Sequence, residues 1–358
     1  MNNYAVIIAG GYGTRFWPIS RKKTPKQFQK LGDNEALINM TVTRLNALIP
    51  MENIFIITSE EQKDIISSTL LSSFHKENLI FEPYAMNTSA AIGYATMCIR
   101  KRFAKGTIGF FPADHFISDN KDFINTISQG YDLASKHNKI VTIGIEPSFP
   151  STGYGYIKMN FKSDSIDGIA YNVEQFVEKP NKQTAQTYLD SGEYLWNGGM
   201  FIWNLETIVD SFTKHLPTMY KQLLTLEKAI DSKNASNKIR AIYENFEKIS
   251  IDYGIMEKSE DVIVLPSHFP WSDVGSWDSM NVISAPDEQN NIISGQSVNI
   301  ETNNSTILGK NRLIATLGIS DLIIVDTDDA LLICHKSRAQ DVKKIVEALE
   351  KNDHKEFL

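Results

Sequence analysis

The sequence predicts an α/β protein, a sheet flanked by helices and followed by a small β-rich unit toward the C-terminus. Three observations predict it. An apolar, partly β-branched run over 4–9 empties directly into a glycine-rich loop. Strand-like and helix-like spacings then alternate through residue 145. Beyond residue 284, short strand-like runs crowd together between Asn, Asp and Gly residues.

Each element follows from local pattern. Residues 4–9 form a buried strand, and apolar spacing at a helical period marks 36–48, 64–71, 89–103 and 123–135. Compact apolar runs mark strands at 54–57, 79–81, 107–111 and 139–145. Alternation of this kind gives a parallel sheet covered on both faces, with binding residues in the loops at the carboxyl ends of its strands. The glycine loop, Glu82-Pro83, Pro112-Ala113-Asp114-His115 and Gly144-Ile145-Glu146-Pro147 all fall at such ends. The middle of the chain mixes strands at 154–159, 171–177 and 200–203 with helices at 205–214, 219–231 and 238–246. Runs at 297–300, 306–308, 313–316, 322–325 and 330–333 predict a β-helix-like or meander tail, closed by a helix at 342–349. A boundary near 285 divides the chain into 1–285 and 286–358.

Composition narrows the function. A chain of 358 residues, 42% hydrophobic and 22% charged, has room for two domains and a large core. The formal net charge of −7 excludes a nucleic-acid binder, because no basic excess exists to replace phosphate counterions. The two cysteines, Cys98 and Cys334, stand far apart in apolar surroundings, so a disulfide framework or Cys-based zinc site is not expected and a reducing cytosol fits. No run has the length of a membrane span, and the N-terminus lacks a cationic leader. The Asn39, Asn87 and Asn234 sequons are then coincidental.

The first loop carries the sharpest chemistry. Gly10-Gly11-Tyr12-Gly13-Thr14-Arg15, followed by Pro25-Lys26-Gln27, combines glycines that admit an anion to the backbone with two cations that neutralise it. A P-loop is excluded, since no Gly-Lys-Ser/Thr follows. A dinucleotide fingerprint is disfavoured, since Phe16 stands where the third glycine belongs. Taken alone, the loop is equally a Gly-rich turn with stray surface cations. Three further clusters are Phe176-Val-Glu178-Lys179-Pro180, Leu195-Trp196-Asn197-Gly198-Gly199-Met200-Phe201 and Pro270-Trp271-Ser272-Asp273-Val274-Gly275-Ser276-Trp277. Singly they read as an ion pair, a tight turn and a helix cap.

Together and in order, the set resembles the sugar-1-phosphate nucleotidyltransferases. The resemblance rests on Ala9-Gly-Gly-Tyr-Gly-Thr-Arg-Phe-Trp-Pro18, Thr24-Pro-Lys-Gln-Phe28, Glu82-Pro83 with Asn87-Thr88, and Pro112-Ala-Asp-His115. It continues through Gly153-Tyr-Gly-Tyr-Ile157, Phe176-Val-Glu-Lys-Pro180, Trp196-Asn-Gly-Gly-Met-Phe201, Ser250-Ile-Asp-Tyr-Gly-Ile-Met-Glu-Lys258 and Trp271-Ser-Asp-Val-Gly275. The Phe-Trp-Pro continuation and the blocks at 196–201 and 250–258 point to the branch that makes GDP-mannose. The resemblance implies a Rossmann-like, GT-A-like mixed sheet and a partial left-handed β-helix. Two-domain relatives add a cupin, for which this chain stops too soon.

The implied reaction is attack of mannose 1-phosphate on the α-phosphorus of GTP, giving GDP-mannose and pyrophosphate. On that resemblance, Arg15, Lys26, Asp114 and Asp273 are catalytic, and the two acids share Mg²⁺. Gly10, Gly11, Gly13, Thr14, Arg15, Lys26, Glu82, Pro83, Asn87, Thr88 and Asp114 hold the nucleotide. Gly155, Tyr156, Glu178, Lys179 and Asn197 hold the sugar phosphate. Arg15 takes the leaving pyrophosphate, Lys26 the α-phosphate, Lys179 the sugar phosphate and Glu178 the sugar hydroxyls. No nucleic acid or membrane partner is expected, and homodimer formation stays open. His115 is read as structural, since Mg²⁺ disfavours imidazole. The acids of Asp326-Thr-Asp328-Asp329 are read as a solvated turn, and Asp252-Tyr253 as either a sugar contact or a buried hydrogen-bonding pair. The rival readings are the same chemistry on a heptose, fucose or glucose phosphate, and a non-catalytic nucleotide-sugar sensor. The sensor is disfavoured because Arg15, Lys26 and both acids are present.

Overall fold

In the computed structural model, which describes residues 2–31 and 35–358, the opening pattern folds as its spacing predicts. β1 (Asn3–Ile8), α1 (Leu37–Asn46), β2 (Ile54–Ser59), α2 (Lys63–Thr69), β3 (Leu79–Glu82), α3 (Thr88–Phe103) and β4 (Thr107–Pro112) alternate. Next come the short β5 (Phe116–Ile117), then α4 (Asn120–His137), β6 (Ile140–Ile145), β7 (Gly155–Met159), β8 (Tyr171–Glu178), α5 (Lys182–Ser191) and β9 (Tyr194–Asn204). The helices α6 (Leu205–His215), α7 (Pro217–Ala229) and α8 (Ala235–Tyr243) precede β10 (Val262–Ser267) and the short β11 (Trp271–Ser272).

A nine-stranded sheet runs in the order β3-β2-β1-β4-β9-β6-β10-β8-β7. From β3 to β4 it is parallel, but β9 enters antiparallel between β4 and β6. The expectation of a parallel sheet reaching β6 is corrected there. The sequence shows only the apolar end of β9, because Asn197, Gly198 and Gly199 interrupt the run; β9 also shifts register against β6 near them. Its burial on both sides through Met200–Trp203 explains the central position. Neither α5 nor β10 is anticipated, although Asn181 caps α5 by accepting from the Thr184 amide and Gly192 closes it in the left-handed region.

Helices cover both faces. On one side Trp203, Phe212, Leu223 and Tyr243 join a core from α3, α6, α7 and α8; on the other Ile38, Val42, Ile127 and Tyr131 pack from α1 and α4. Asn39, the first sequon residue, is buried there and donates its amide to Thr69 O at 2.9 Å.

The tail contains α9 (Met280–Ile283), β12 (Ile292–Ser294), β13 (Ser297–Ile300), β14 (Thr306–Leu308), β15 (Ile314–Leu317), β16 (Leu322–Asp326), β17 (Leu331–His335) and α10 (Lys343–Lys351). β12, β14 and β16 stack in parallel, with β13 on β15 as a second face, which is the β-helix-like arrangement expected. β17 closes it antiparallel to β16. A third core joins this unit to the site. Phe16, Trp17, Val274 and Trp277 pack with Ile323, Val325, Leu332 and Val342. The Trp277 indole donates to Trp17 O at 3.0 Å, and the Trp17 indole donates to Phe357 O at 2.8 Å. Of the 326–329 acids, Asp328 and Asp329 lie exposed in the turn expected between β16 and β17, whereas Asp326 is buried at the end of β16. Arg21 clasps Asp329 at 2.7 and 2.8 Å, Lys310 pairs with Asp328, and Arg312 lies 3.0 Å from buried Asp326.

Candidate active site

The glycine loop leaves the end of β1 and is braced from behind. Ala9 O accepts from Gln27 Nε2 at 3.0 Å and lies 2.9 Å from Thr58 Oγ1, while Gln62 Oε1 accepts from Gln27 Nε2 at 3.2 Å and lies 2.6 Å from the same hydroxyl. Around Gly11 a side chain would meet open space, so its backbone faces the cleft bare. Gly13 has φ +64° and a Cβ there would collide with the Lys26 side chain. Gly13→Ala is therefore expected to cost about 1–2 kcal/mol from the left-handed backbone alone, and to move Lys26. A lowered unfolding midpoint together with reduced turnover checks this.

A cleft of about 480 Å³ opens beyond the loop. Gly10, Gly11, Glu82, Asn87, Thr88, Asp114, Gly155, Glu178, Asn197 and Asp273 all line it, brought from both halves of the chain. Arg15 and Lys179 do not. They line an adjoining cavity of about 930 Å³ that shares Gly153, Tyr154, Trp271 and Asp273 with the cleft. Several expectations are corrected. Pro83 lies outside the cleft, against a separate groove lined by Tyr94, Arg102 and Ile239. Thr14 is exposed in the turn after Gly13 and reaches neither cavity. Tyr156 is fully buried with its hydroxyl on Ser151 O at 2.9 Å, so it supports the 151–155 turn; Tyr154 lines the cleft instead. The Gly144–Pro147 loop also stays away, because β9 occupies the position beside β4.

One ammonium ties together the two loops that carry the candidate metal acids, through the Asp114 carboxylate and the Asp273 backbone carbonyl. Lys26 Nζ lies 2.7 Å from Asp114 Oδ2 and donates to Asp273 O at 2.7 Å and Val274 O at 2.8 Å. Those contacts use all three of its donors. As placed, Lys26 is not free to meet a phosphate; it ties the β4 loop to the β11 loop. Val274, a β-branched residue at φ +45°, is held in that strained conformation by Lys26 on its carbonyl and Ser272 Oγ on its amide. Burial works against ionisation of Asp114, but Lys26 and then His115 overcome it and hold the carboxyl below its ordinary value. Asp273 Oδ1 accepts from Tyr154 Oη and from the Gly275 amide, both at 3.0 Å, which leaves Oδ2 without a hydrogen-bond partner among the described residues. No group of three or more His, Cys, Asp or Glu side chains converges for a metal among the described residues.

The ends of the cleft differ. Glu82 is 5% exposed, and burial pushes its carboxyl up to about 7 against the Tyr243 hydroxyl, which donates to Oε1. It has no cation partner among the described residues. Asn87 caps α3 and Thr88 Oγ1 accepts from the Ile251 amide at 2.8 Å, which fixes the wall beside it. At the other end, Asn197 Nδ2 donates to Asp252 Oδ1 at 3.0 Å, and burial, then nearby Glu178, pushes Asp252 up to about 6. Glu178 pairs with Lys179, and its Oε2 lies where a Cβ on Gly155 would stand. Asp252 therefore belongs to the cleft, opening a single π turn, whereas Tyr253 is 48% exposed and makes no pair with it.

Sequence reasoning missed Tyr154, Trp271 and Tyr243. Tyr154 and Trp271 had a signal, since each sits within a quoted block beside a named residue. Tyr243 had none; only the packing of α8 brings it to Glu82.

Residues 4–290 match the Nucleotidyl transferase family model, and 295–349 match that of the MannoseP isomerase/GMP-like beta-helix domain. A mannose-1-phosphate guanylyltransferase from Salmonella montevideo is 37% identical over 99% of this chain and 75% of its own length. One from Escherichia coli K12 is also 37% identical, over 97% of this chain and 73% of its own. The chain belongs to the mannose-1-phosphate guanylyltransferase family. The solved structure of a Thermus thermophilus protein, described as a mannose-1-phosphate geranyltransferase, covers 98% of this chain and 100% of its own at 31% identity and a TM-score of 0.88. This guanylyltransferase family member thus shares the two-part architecture from end to end. No described helix is long and apolar enough to cross a membrane.

Proposed function

We infer that this chain transfers GMP from GTP to mannose 1-phosphate, releasing pyrophosphate. One observation carries the reading. Asp114 and Asp273, remote in sequence, line one cleft with Glu82, Glu178, Asn197 and Asp252, and the buried Lys26 ammonium binds the Asp114 carboxylate and the Asp273 main chain together.

The reaction is in-line displacement at a phosphorus crowded with negative charge, so positioning and neutralisation supply most of the catalysis. Bare backbone at Gly10 and Gly11 admits the nucleotide. Arg15, in the adjoining cavity with a buried Nε that lacks a partner, takes the leaving pyrophosphate there. Lys179 in the same cavity faces the sugar phosphate, and Glu178 with Asp252 accepts hydrogen bonds from the ring hydroxyls. Lys26 acts from behind, fixing both acids. The donor set fits Mg²⁺: two hard carboxylates, one with a free oxygen, leave the remaining positions to phosphate and water. When bound, that ion supplies charge neutralisation at the phosphoryl oxygens.

A grid of four nucleoside triphosphates against mannose, glucose, fucose and heptose 1-phosphates, read as pyrophosphate release, tests the assignment. GTP with mannose 1-phosphate is expected to give the highest kcat/KM. A tenfold preference for glucose 1-phosphate with any triphosphate overturns it.

A further inference from the structure

His115 follows Asp114 in the turn after β4 and lines the cleft. Its Nδ1 lies 3.1 Å from Trp271 Nε1, and the rings meet edge to face at 5.3 Å. An indole nitrogen can only donate. Nδ1 must therefore accept, and the neutral ring carries its proton on Nε2. No described residue accepts from that proton, and Nε2 is not among the buried unpartnered atoms, so it opens to the cleft. The ring edge at Cε1 lies 3.6 Å from where a Cβ on Gly199 would stand, on the sugar side of the bulged β9. Asp114 is its neighbour in the chain, and both Asp114 and Asp273 line the same cleft. His115 thus brings an N–H to the cleft beside Asp114 and near Gly199, within the space a phosphoryl group bound there would share.

We propose that His115 donates its Nε2–H to a non-bridging oxygen of the transferred phosphoryl group, with Trp271 fixing the tautomer that makes the donation. The proposal rests on the phosphoryl-transfer reading above. It replaces the expectation of a purely structural histidine.

Two conservative amides separate the alternatives. His115→Gln places an N–H near the Nε2 position. His115→Asn places its carbonyl near Nδ1, where it still accepts from Trp271, but offers nothing to the phosphoryl group. If His115 acts through Nε2, the glutamine variant keeps kcat within about fivefold, while the asparagine variant loses about 10- to 100-fold, as loss of a charge-assisted donor commonly does. The loss should fall on kcat, with KM for both substrates little changed. A structural histidine predicts the reverse order, since only asparagine preserves the Trp271 contact. The reverse order, or equal loss in both variants with unchanged unfolding midpoints, overturns the proposal. Failure of the wild-type protein to make GDP-mannose at all would instead remove the functional reading beneath it.

Discussion

Asp114→Asn and Asp273→Asn are each expected to lower turnover by about 10²–10⁴-fold, the usual scale when a metal's charge-stabilising role is removed. Their effects on stability should differ. Asp273 can lose its charge and still accept from Tyr154 and the Gly275 amide through the remaining oxygen. Among the described residues, Asp114 is the only carboxylate against Lys26, whose side chain is 4% exposed. Asparagine there leaves the ammonium with two carbonyls and no anion, at a cost of about 1–3 kcal/mol. Pyrophosphate release at saturating Mg²⁺, with unfolding midpoints for both variants, measures the two effects separately. Near-normal turnover in either variant removes that acid from the catalytic set.

Base selection is expected to depend on pH through Glu82. Guanine offers two parallel donors, N1–H and the exocyclic amine, which match an ionised carboxylate. Tyr243 already occupies one site on Oε1, but each carboxylate oxygen accepts twice, so both donors still find partners. Adenine presents an acceptor at N1, and a mismatch in a desolvated pocket is worth about 1–3 kcal/mol. The protonated acid reverses this preference, because it both donates and accepts, as adenine requires. With the carboxyl raised to about 7, the GTP/ATP ratio of kcat/KM should fall as pH drops below that value. Glu82→Gln, a permanent donor and acceptor, should raise the GTP KM, narrow the ratio by roughly ten- to a hundredfold and make it independent of pH. The mannose 1-phosphate KM should stay put. An unchanged ratio moves base recognition elsewhere.

The same shift fixes a sign for stability. A carboxyl whose folded value lies above its unfolded 4.5 penalises the fold as it ionises, so the penalty is absent below 4.5 and complete above about 7. Glu82→Gln should therefore be more stable than wild type above pH 7, by up to about 3 kcal/mol, and no more stable at pH 4. Chemical denaturation at the two values checks this.

Where the sequence failed, the cause was physical rather than statistical. Asn197, Gly198 and Gly199 look like a loop because polar and flexible residues interrupt an apolar run, yet they lie in β9 at its register shift against β6, where Asn197 and Gly199 line the cleft. Tyr154 and Tyr156 are near neighbours in one motif, and only the turn held by Ser151 decides that the first faces the cleft and the second the core. Glu82 and Pro83 are adjacent, but the end of β3 turns one into the cleft and leaves the other against a separate groove lined by Tyr94 and Ile239.

What the sequence determined by itself was the alternation of elements to β4, the β-helix-like tail, the family, and the residue types at the strand ends where chemistry belongs. These are readable because hydrophobic period and glycine placement are local properties of the chain. Only the tertiary structure decided that β9 runs antiparallel through the centre, that Lys26 spends its donors on the two acid loops, that Tyr243 meets Glu82 and that Trp271 sets the His115 tautomer. Each of these joins residues far apart in the chain. Such pairings depend on which surfaces bury against one another when the sheet assembles, and no local pattern records that choice.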